Sequence, residues 1–394
     1  MINFCYDSFS NGQGHPNLAR WSALPFTKEW REFDLHWPRT VPLRLTMYLD
    51  DADIEYGIHS IHTAPKGSWY PVAFSWFDFD CDYISLMSEI VKEKIRNGII
   101  KILFYYHEGD NPVDIKKHID TLCTLHNLPN DSYVFVSANT AAKDLENFIY
   151  FQDHESFFRH VNREQEYLIS NESNRIFDFT MLNRAHKWWR ASCTTDLLHH
   201  GILDNSLWSY HTYCDVGDDI GNNPLEIFRV RGWRARLLEF VEKGPYYCDQ
   251  LDLKEKNDHR IINQDLYSRS FFNIVPETFL TIHQSTGTFI TEKTFKCIKY
   301  GQPFIIVGLP NTLSALRDSG YRTFDSVLDN TYDSIVDPTQ RWFAILNLLT
   351  DMKKQGVKEL FLKCLDDIKH NQQVFAERKS APLNILLEEL ACQN

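Results

Sequence analysis

The sequence predicts an α/β chain made of two Rossmann-like halves with a helical C-terminal tail. Three observations carry that expectation. Apolar, strand-like runs alternate with amphipathic helical segments at the spacing of βαβ units. The alternation occurs twice, on either side of a polar stretch at 162–175, "NREQEYLISNESNR". The chain has 394 residues, which suits two domains of ordinary size.

Residues 1–82 read as irregular and aromatic, densest at "SWYPVAFSWFDFDCDY". Residues 83–97 then place Ile84, Met87, Ile90, Val91 and Ile95 on one helical face, and Gly98 stops that helix. "IIKILFYY" is continuously apolar enough for a strand buried on both faces. A helix over 113–126 carries Ile115, Ile119, Leu122 and Leu125 on one stripe, and "SYVFVSAN" is the next strand. The polar stretch divides a first domain, 1–165, from a second, 166–394. There "IFDFTML" is a strand, 185–200 a helix and "SLWSYHT" a strand. "FFNIV" at 271–275, a helix at 292–300 and "PFIIVG" at 303–308 form another βαβ unit. "NTLSALRDSG" is a helix with a glycine stop, and 339–390 is mostly helical. Two such halves imply a cleft, with ligands held at the carboxyl ends of strands.

Composition narrows the function. Hydrophobic residues are 43% and charged residues 24%, as in a globular protein. The net charge of -12 disfavours nucleic acid as the main partner, although a local basic groove remains compatible with it. Aromatics at 14% serve a large core before they serve sugar stacking. Nine cysteines without a C-x-x-C fit neither a disulfide scaffold nor a zinc site, so free thiols and a cytoplasmic location are expected. No signal peptide is visible at "MINFCYDSFSNGQGHPN", and no apolar run reaches the length of a membrane span. A peripheral membrane contact stays open.

The chemistry concentrates in "FITEKTFKCIKYGQPFIIVG", 289–308. Thr291 is placed to cap a helix whose free amides and dipole attract phosphate. Lys293 adds a full charge in the first turn. Glu292 repels phosphate and suits the hydroxyls of a ribose or hexose. Glu292 and Lys296 are also spaced i, i+4 in the order of an ordinary surface ion pair. The connection over 276–290 is long and rich in hydroxyls, "PETFLTIHQSTGTF", as functional loops often are.

From Phe271 to Gly308, "FFNIVPET…GTFITEKTFKCIKYGQPFIIVG" resembles the donor-binding signature of α1,3-fucosyltransferase-like glycosyltransferases of the GT-B fold. The resemblance implies two domains facing a cleft and a nucleotide diphosphate-sugar donor, GDP-fucose among the candidates, in the C-terminal one. It implies that Glu292 bonds sugar or ribose hydroxyls and Lys293 the diphosphate. Glu277 stands at the family's polar strand-end position. Upstream, "FDFTMLNRAHKWWRASC" is similar in plan to the family's first C-domain strand, turn and helix. Asn183 and Arg184 fall at the turn and Arg190 on the helix, with either arginine a phosphate ligand. The plainer alternative is that Arg184, Lys187 and Arg190 form an ordinary basic face. In "ILFYYHEGDNP" the resemblance implies Glu108 as base for the acceptor hydroxyl, although Pro112 follows at a longer spacing than in the family. His107 is the alternative base. Inversion at the anomeric carbon follows from the resemblance alone.

No metal is expected. "YLDDADIEY" and "DVGDD" read as solvated acidic turns, and His59 and His62 lack partners at metal spacing. The expected acceptor is a glycan hydroxyl on the first domain, near the aromatics between Trp69 and Phe79. Two other functions fit the same residues: a DNA-modifying glycosyltransferase acting on a hydroxymethylated base, and a non-catalytic α/β binding protein. Intact Thr291, Glu292 and Lys293 argue against the second.

Overall fold

The structure is a computed structural model and describes residues 1–6, 40–74, 77–161, 174–212, 220, 223–248, 263–281, 287–378 and 381–393. The expected boundary stretch therefore lies outside the described residues over 162–173, as do "DVGDD" and part of the hydroxyl-rich loop, 282–286. The chain forms an α/β fold of two compact units. Unit 1 comprises Met1–His160, His283–Phe289 and Lys379–Asn394, and unit 2 comprises Val161–Ile282 and Ile290–Arg378.

Unit 1 holds a six-stranded parallel sheet: β1 (Ile2–Tyr6), β2 (Tyr56–Ser60), β3 (Ser68–Phe74), β4 (Ile100–Tyr106), β5 (Tyr133–Ser137) and β6 (Phe148–Tyr150), in the order β2-β1-β3-β4-β5-β6. Its helices are α1 (Thr40–Asp51), α2 (Glu89–Arg96), α3 (Pro112–Leu125) and α4 (Asp153–Val161). The expectation that 1–82 is irregular is thus corrected, because β1, β2 and β3 lie there. They hid for physical reasons. β1 is short, β2 carries Gly57 and His59, and Pro71 sits inside β3, where proline ordinarily argues against a strand. β1 meets β3 only at Phe4↔Trp69, so Pro71 lies beyond that pairing.

The expected helix at 83–97 starts only at Glu89. Ser88 caps it through Val91 N, and Asp82 Oδ1 accepts from Ser85 N at 2.9 Å to hold the preceding turn. Trp69, Tyr70 and Phe77 are core residues at 0%, 2% and 4% exposure, so they are closed to an acceptor, whereas Phe79 is 46% exposed.

Unit 2 holds a four-stranded parallel sheet: β7 (Phe177–Asn183), β8 (Ser206–Tyr210), β9 (Ser270–Pro276) and β10 (Phe304–Val307), in the order β10-β9-β7-β8. Its helices are α5 (Trp188–His199), α6 (Arg231–Lys243), α7 (Gln264–Ser268), α8 (Glu292–Lys299), α9 (Thr312–Asp318), α10 (Pro338–Gln355), α11 (Val357–Lys363) and α12 (Leu365–Glu377). The strand order reverses between β7 and β9, which makes their carboxyl ends the switch point of this sheet. The last helix, α13 (Ala381–Gln393), belongs to unit 1 and not with the second half of the chain. It buries Leu383, Leu386 and Leu390, and its Gln393 carbonyl accepts from Lys101 Nζ on β4 at 2.6 Å.

Candidate functional site

The unit 2 residues singled out by sequence converge on this switch point. Asn183 ends β7 with Arg184 next in the chain, Glu277 follows β9, and α8 begins at Glu292. Thr291 caps α8. Its hydroxyl accepts from Lys293 N at 3.4 Å and from Lys293 Nζ at 2.9 Å, and donates to Glu277 Oε2 at 2.6 Å. Glu277 Oε1 accepts from Thr294 Oγ1 at 2.7 Å and from Thr291 N at 3.3 Å.

Glu277 is 1% exposed, so both carboxylate oxygens are engaged within the protein. A buried carboxylate is tolerated only where donors and positive potential surround it. Here hydroxyls, an amide and the first turn of a helix provide both. Its geometry is that of a bracket tying the end of β9 to the start of α8.

Arg190 is 3% exposed and donates to the Glu277 carbonyl at 2.6 Å and the Ala185 carbonyl at 3.3 Å. It therefore links the turns that follow β7 and β9. Burial pulls its pKa down to about 10 against the opposing pull of Glu277, and the guanidinium remains charged. Its Nε has no partner among the described residues. Asn183 is 1% exposed; its Nδ2 donates to Thr194 Oγ1 at 3.4 Å, while its Oδ1 has no donor among the described residues.

Lys293 is accessible at 27% of its side chain and lies 4.0 Å from Glu277 and 3.9 Å from Glu292. Arg184 is exposed. Lys187 donates to the Thr278 carbonyl at 2.8 Å.

The i, i+4 spacing offers Lys296 as a surface partner of Glu292, the plainer alternative to a ligand site. No ion pair joins the two. Lys296 is 8% exposed, and its side chain makes no hydrogen bond or ion pair with the described residues. Its pKa is lowered by burial; the Glu292 carboxylate works against that, and the Lys293 and Arg184 charges add to it. Five cationic side chains, Arg184, Lys187, Arg190, Lys293 and Lys296, thus stand against two carboxylates, in a chain whose overall charge is -12. The local surplus is positive, and one of its members, Lys296, is buried without a close ion pair among the described residues. The signal for Lys296 in the sequence was its place one turn beyond Lys293 on the same helix face.

His107 and Glu108 follow β4 in unit 1, which ends at Tyr106. Because they lie past the strand, their side chains do not diverge to opposite faces: His107 Nε2 is 3.7 Å from Glu108 Oε1. Glu108 is accessible at 33% of its side chain and His107 at 11%. The Tyr106 hydroxyl donates to Asp110. The His107 carbonyl accepts from His154 Nε2 at 3.0 Å, which ties the turn to α4.

Among the described residues, no group of three or more His, Cys, Asp or Glu side chains could hold a metal ion. Within "YLDDADIEY", Asp50 accepts from the Tyr56 hydroxyl at 3.1 Å and Asp51 pairs with His160 at 2.5 Å, so these carboxylates serve local contacts. No helix among the described residues is long and apolar enough to cross a membrane. No protein-family model matches the chain, and no curated protein matches it.

Proposed function

We propose that the chain is a glycosyltransferase of the GT-B type that moves a sugar from a nucleotide diphosphate-sugar to a hydroxyl acceptor. The observation that supports it best is the cation cluster around the first turn of α8, at the carboxyl ends of β7 and β9. Lys293, Lys296 and Arg184, beside the positive end of this helix, are the complement of a diphosphate. Glu292 beside them suits vicinal hydroxyls, which distinguishes a sugar nucleotide from simple phosphate. Glu277 and Arg190 act as positioning residues: their polar atoms bind the protein's own turns.

In the proposed reaction the acceptor oxygen attacks the anomeric carbon as its proton passes to a base, and the bond to the diphosphate oxygen breaks. Cations then neutralise the charge that grows on the leaving group. Glu108 is the proposed base, with His107 as the alternative. The acceptor is a glycan hydroxyl in this reading.

Calorimetry with UDP, GDP, ADP and CDP tests the donor half and identifies the base. Lys293→Ala should weaken the preferred diphosphate by about 10–150-fold, the equivalent of about 1.5–3 kcal/mol for a hydrogen bond to a charged group. Equal affinity in mutant and parent would overturn the assignment. Glu108→Gln tests the other half, with diphosphate affinity kept and transfer lowered by about 10²–10⁴. Transfer should also survive EDTA; loss that Mg²⁺ restores would give the leaving diphosphate to a metal instead of to these cations.

A further inference from the structure

The start of helix α6 carries a cationic run that the proposed transfer does not use; the helix's own carboxylates, Glu239 and Glu242, come later, and Glu239 pairs with Lys243 at 2.6 Å. Between residues 229 and 238 the sequence holds four arginines and no carboxylate, within a chain of net charge -12. Arg236 is occupied: it lies 5.1 Å over the Trp233 ring and 3.0 Å from His199. Arg229 reaches Glu226 only at 3.9 Å, with both side chains mostly in solvent. Arg231 and Arg234 are exposed and form no ion pair with the described residues.

Local structure gives no reason for this arrangement. The first turn of α6 has no acidic residue, and Val230 at the N-cap offers no side-chain acceptor. Cations there oppose the helix dipole and the free amides, the reverse of what stabilises a helix. The exposed face is also not uniformly polar. Val230, at the N-cap, is 59% exposed and Leu238 44% exposed, and Leu238 lies one turn beyond Arg234. Leu237 and Phe240 are buried and anchor the helix.

We propose that this face of α6 docks on an anionic lipid bilayer. Guanidinium groups would take headgroup phosphates while Val230 and Leu238 enter the interfacial layer. A nucleic acid backbone fits less well. Aliphatic side chains gain nothing from phosphates, and Trp233, the single aromatic residue of the stretch, is packed between Arg236 and His199 and not displayed for stacking.

The test is flotation of the full chain with vesicles. Binding to phosphatidylcholine vesicles containing phosphatidylglycerol is expected, weakening as salt rises, with none to phosphatidylcholine alone. Each arginine neutralised should lower partitioning about fivefold, so Arg231→Glu with Arg234→Glu should lower it by at least about 25-fold. Leu238→Ser should lower it severalfold with the salt dependence intact. Thermal unfolding of the double variant should occur at or above the parent temperature, because carboxylates suit this helix end, so lost binding cannot be lost folding. Absence of anionic-vesicle binding, or binding that survives the double reversal, would overturn the proposal. So would a duplex DNA oligomer bound through the same arginines while Leu238→Ser has no effect.

Discussion

Lys296 shows how a residue's chemistry is set by what surrounds it. On sequence spacing it is half of a solvated ion pair, and an i, i+4 rule predicts just that. In the fold α8 turns it inward, where burial and two neighbouring cations disfavour its charge. The pKa direction fixes the sign of its contribution. The folded chain releases this proton at lower pH than the unfolded chain does. Between the lowered pKa and the ordinary lysine range, the unfolded state therefore binds more protons, and stability rises with pH. Below that window the buried charge is a full cost. Lys296→Met should thus be more stable at neutral pH by about 0.5–2 kcal/mol, the usual size of such gains, and the gain should shrink as pH climbs through the window. If the proposed donor site is right, the same variant should bind nucleoside diphosphate about 10-fold more weakly or worse, because it loses a cation beside the diphosphate. Denaturation curves across pH and calorimetry read the two effects separately. A Met variant that is less stable at neutral pH and binds equally well would make Lys296 a structural lysine.

At the scale of elements, the long connection between β9 and α8 was conspicuous in sequence, but its job was not. Its length and hydroxyl content pointed to ligand binding. Its 287–289 portion docks within unit 1: Thr288 N donates to Thr140 Oγ1 at 2.7 Å, and Thr140 N donates to the Thr288 carbonyl at 2.9 Å. Asn139 Nδ2 reaches the Gly109 carbonyl at 2.9 Å, one residue after Glu108. Tertiary partners of this kind leave no periodicity to read. Two glycines record the closeness. A Cβ on Gly287 would stand 2.0 Å from Asn139 Oδ1 and 2.6 Å from Ala141 N, and one on Gly109 would stand 2.1 Å from Phe289 Cγ. Gly287→Ala should therefore destabilise the protein by about 1–3 kcal/mol, as overpacking does. Gly232→Ala in α6, with nothing within 4 Å of the new carbon, should stabilise it by up to about 1 kcal/mol. Urea titration of both variants checks the contrast, and equal effects would show that propensity, not contact, governs Gly287. The regular β9–α8–β10 unit was legible for the opposite reason: β9 is buried along its whole length, so its apolar run is continuous.

For the whole molecule, the alternating pattern made the α/β class and its two sheets legible, while the path of the chain between the units was not. Unit 1 draws on three separate segments, and its last helix lies far from its first strand in sequence. Nothing in the composition of "APLNILLEELACQ" says which sheet it will cover, because an apolar helix face specifies burial and not a partner. The contacts specify it. Leu383, Leu386 and Leu390 are 4%, 0% and 1% exposed, and the Gln393 carbonyl is bound by Lys101. Removing a single buried leucine side chain costs about 2–5 kcal/mol, and a domain's total stability is about 5–15 kcal/mol. A chain ending at Arg378 should therefore lose most or all of the stability of unit 1. Unit 2 contains the α8 turn and its five cations but none of the deleted residues, so diphosphate binding should persist in the shortened chain. Hydrogen exchange separates the two outcomes, with protection lost across β4, β5 and β6 and kept across β7 and β9. A peptide of residues 379–394 added to the shortened chain should restore protection to unit 1 in a concentration-dependent way. If β4 to β6 stay protected without the tail, α13 is an accessory cover that unit 1 does not need. If protection is lost in both sheets together, the units unfold as one cooperative body, and binding measured on the shortened chain should vanish with it.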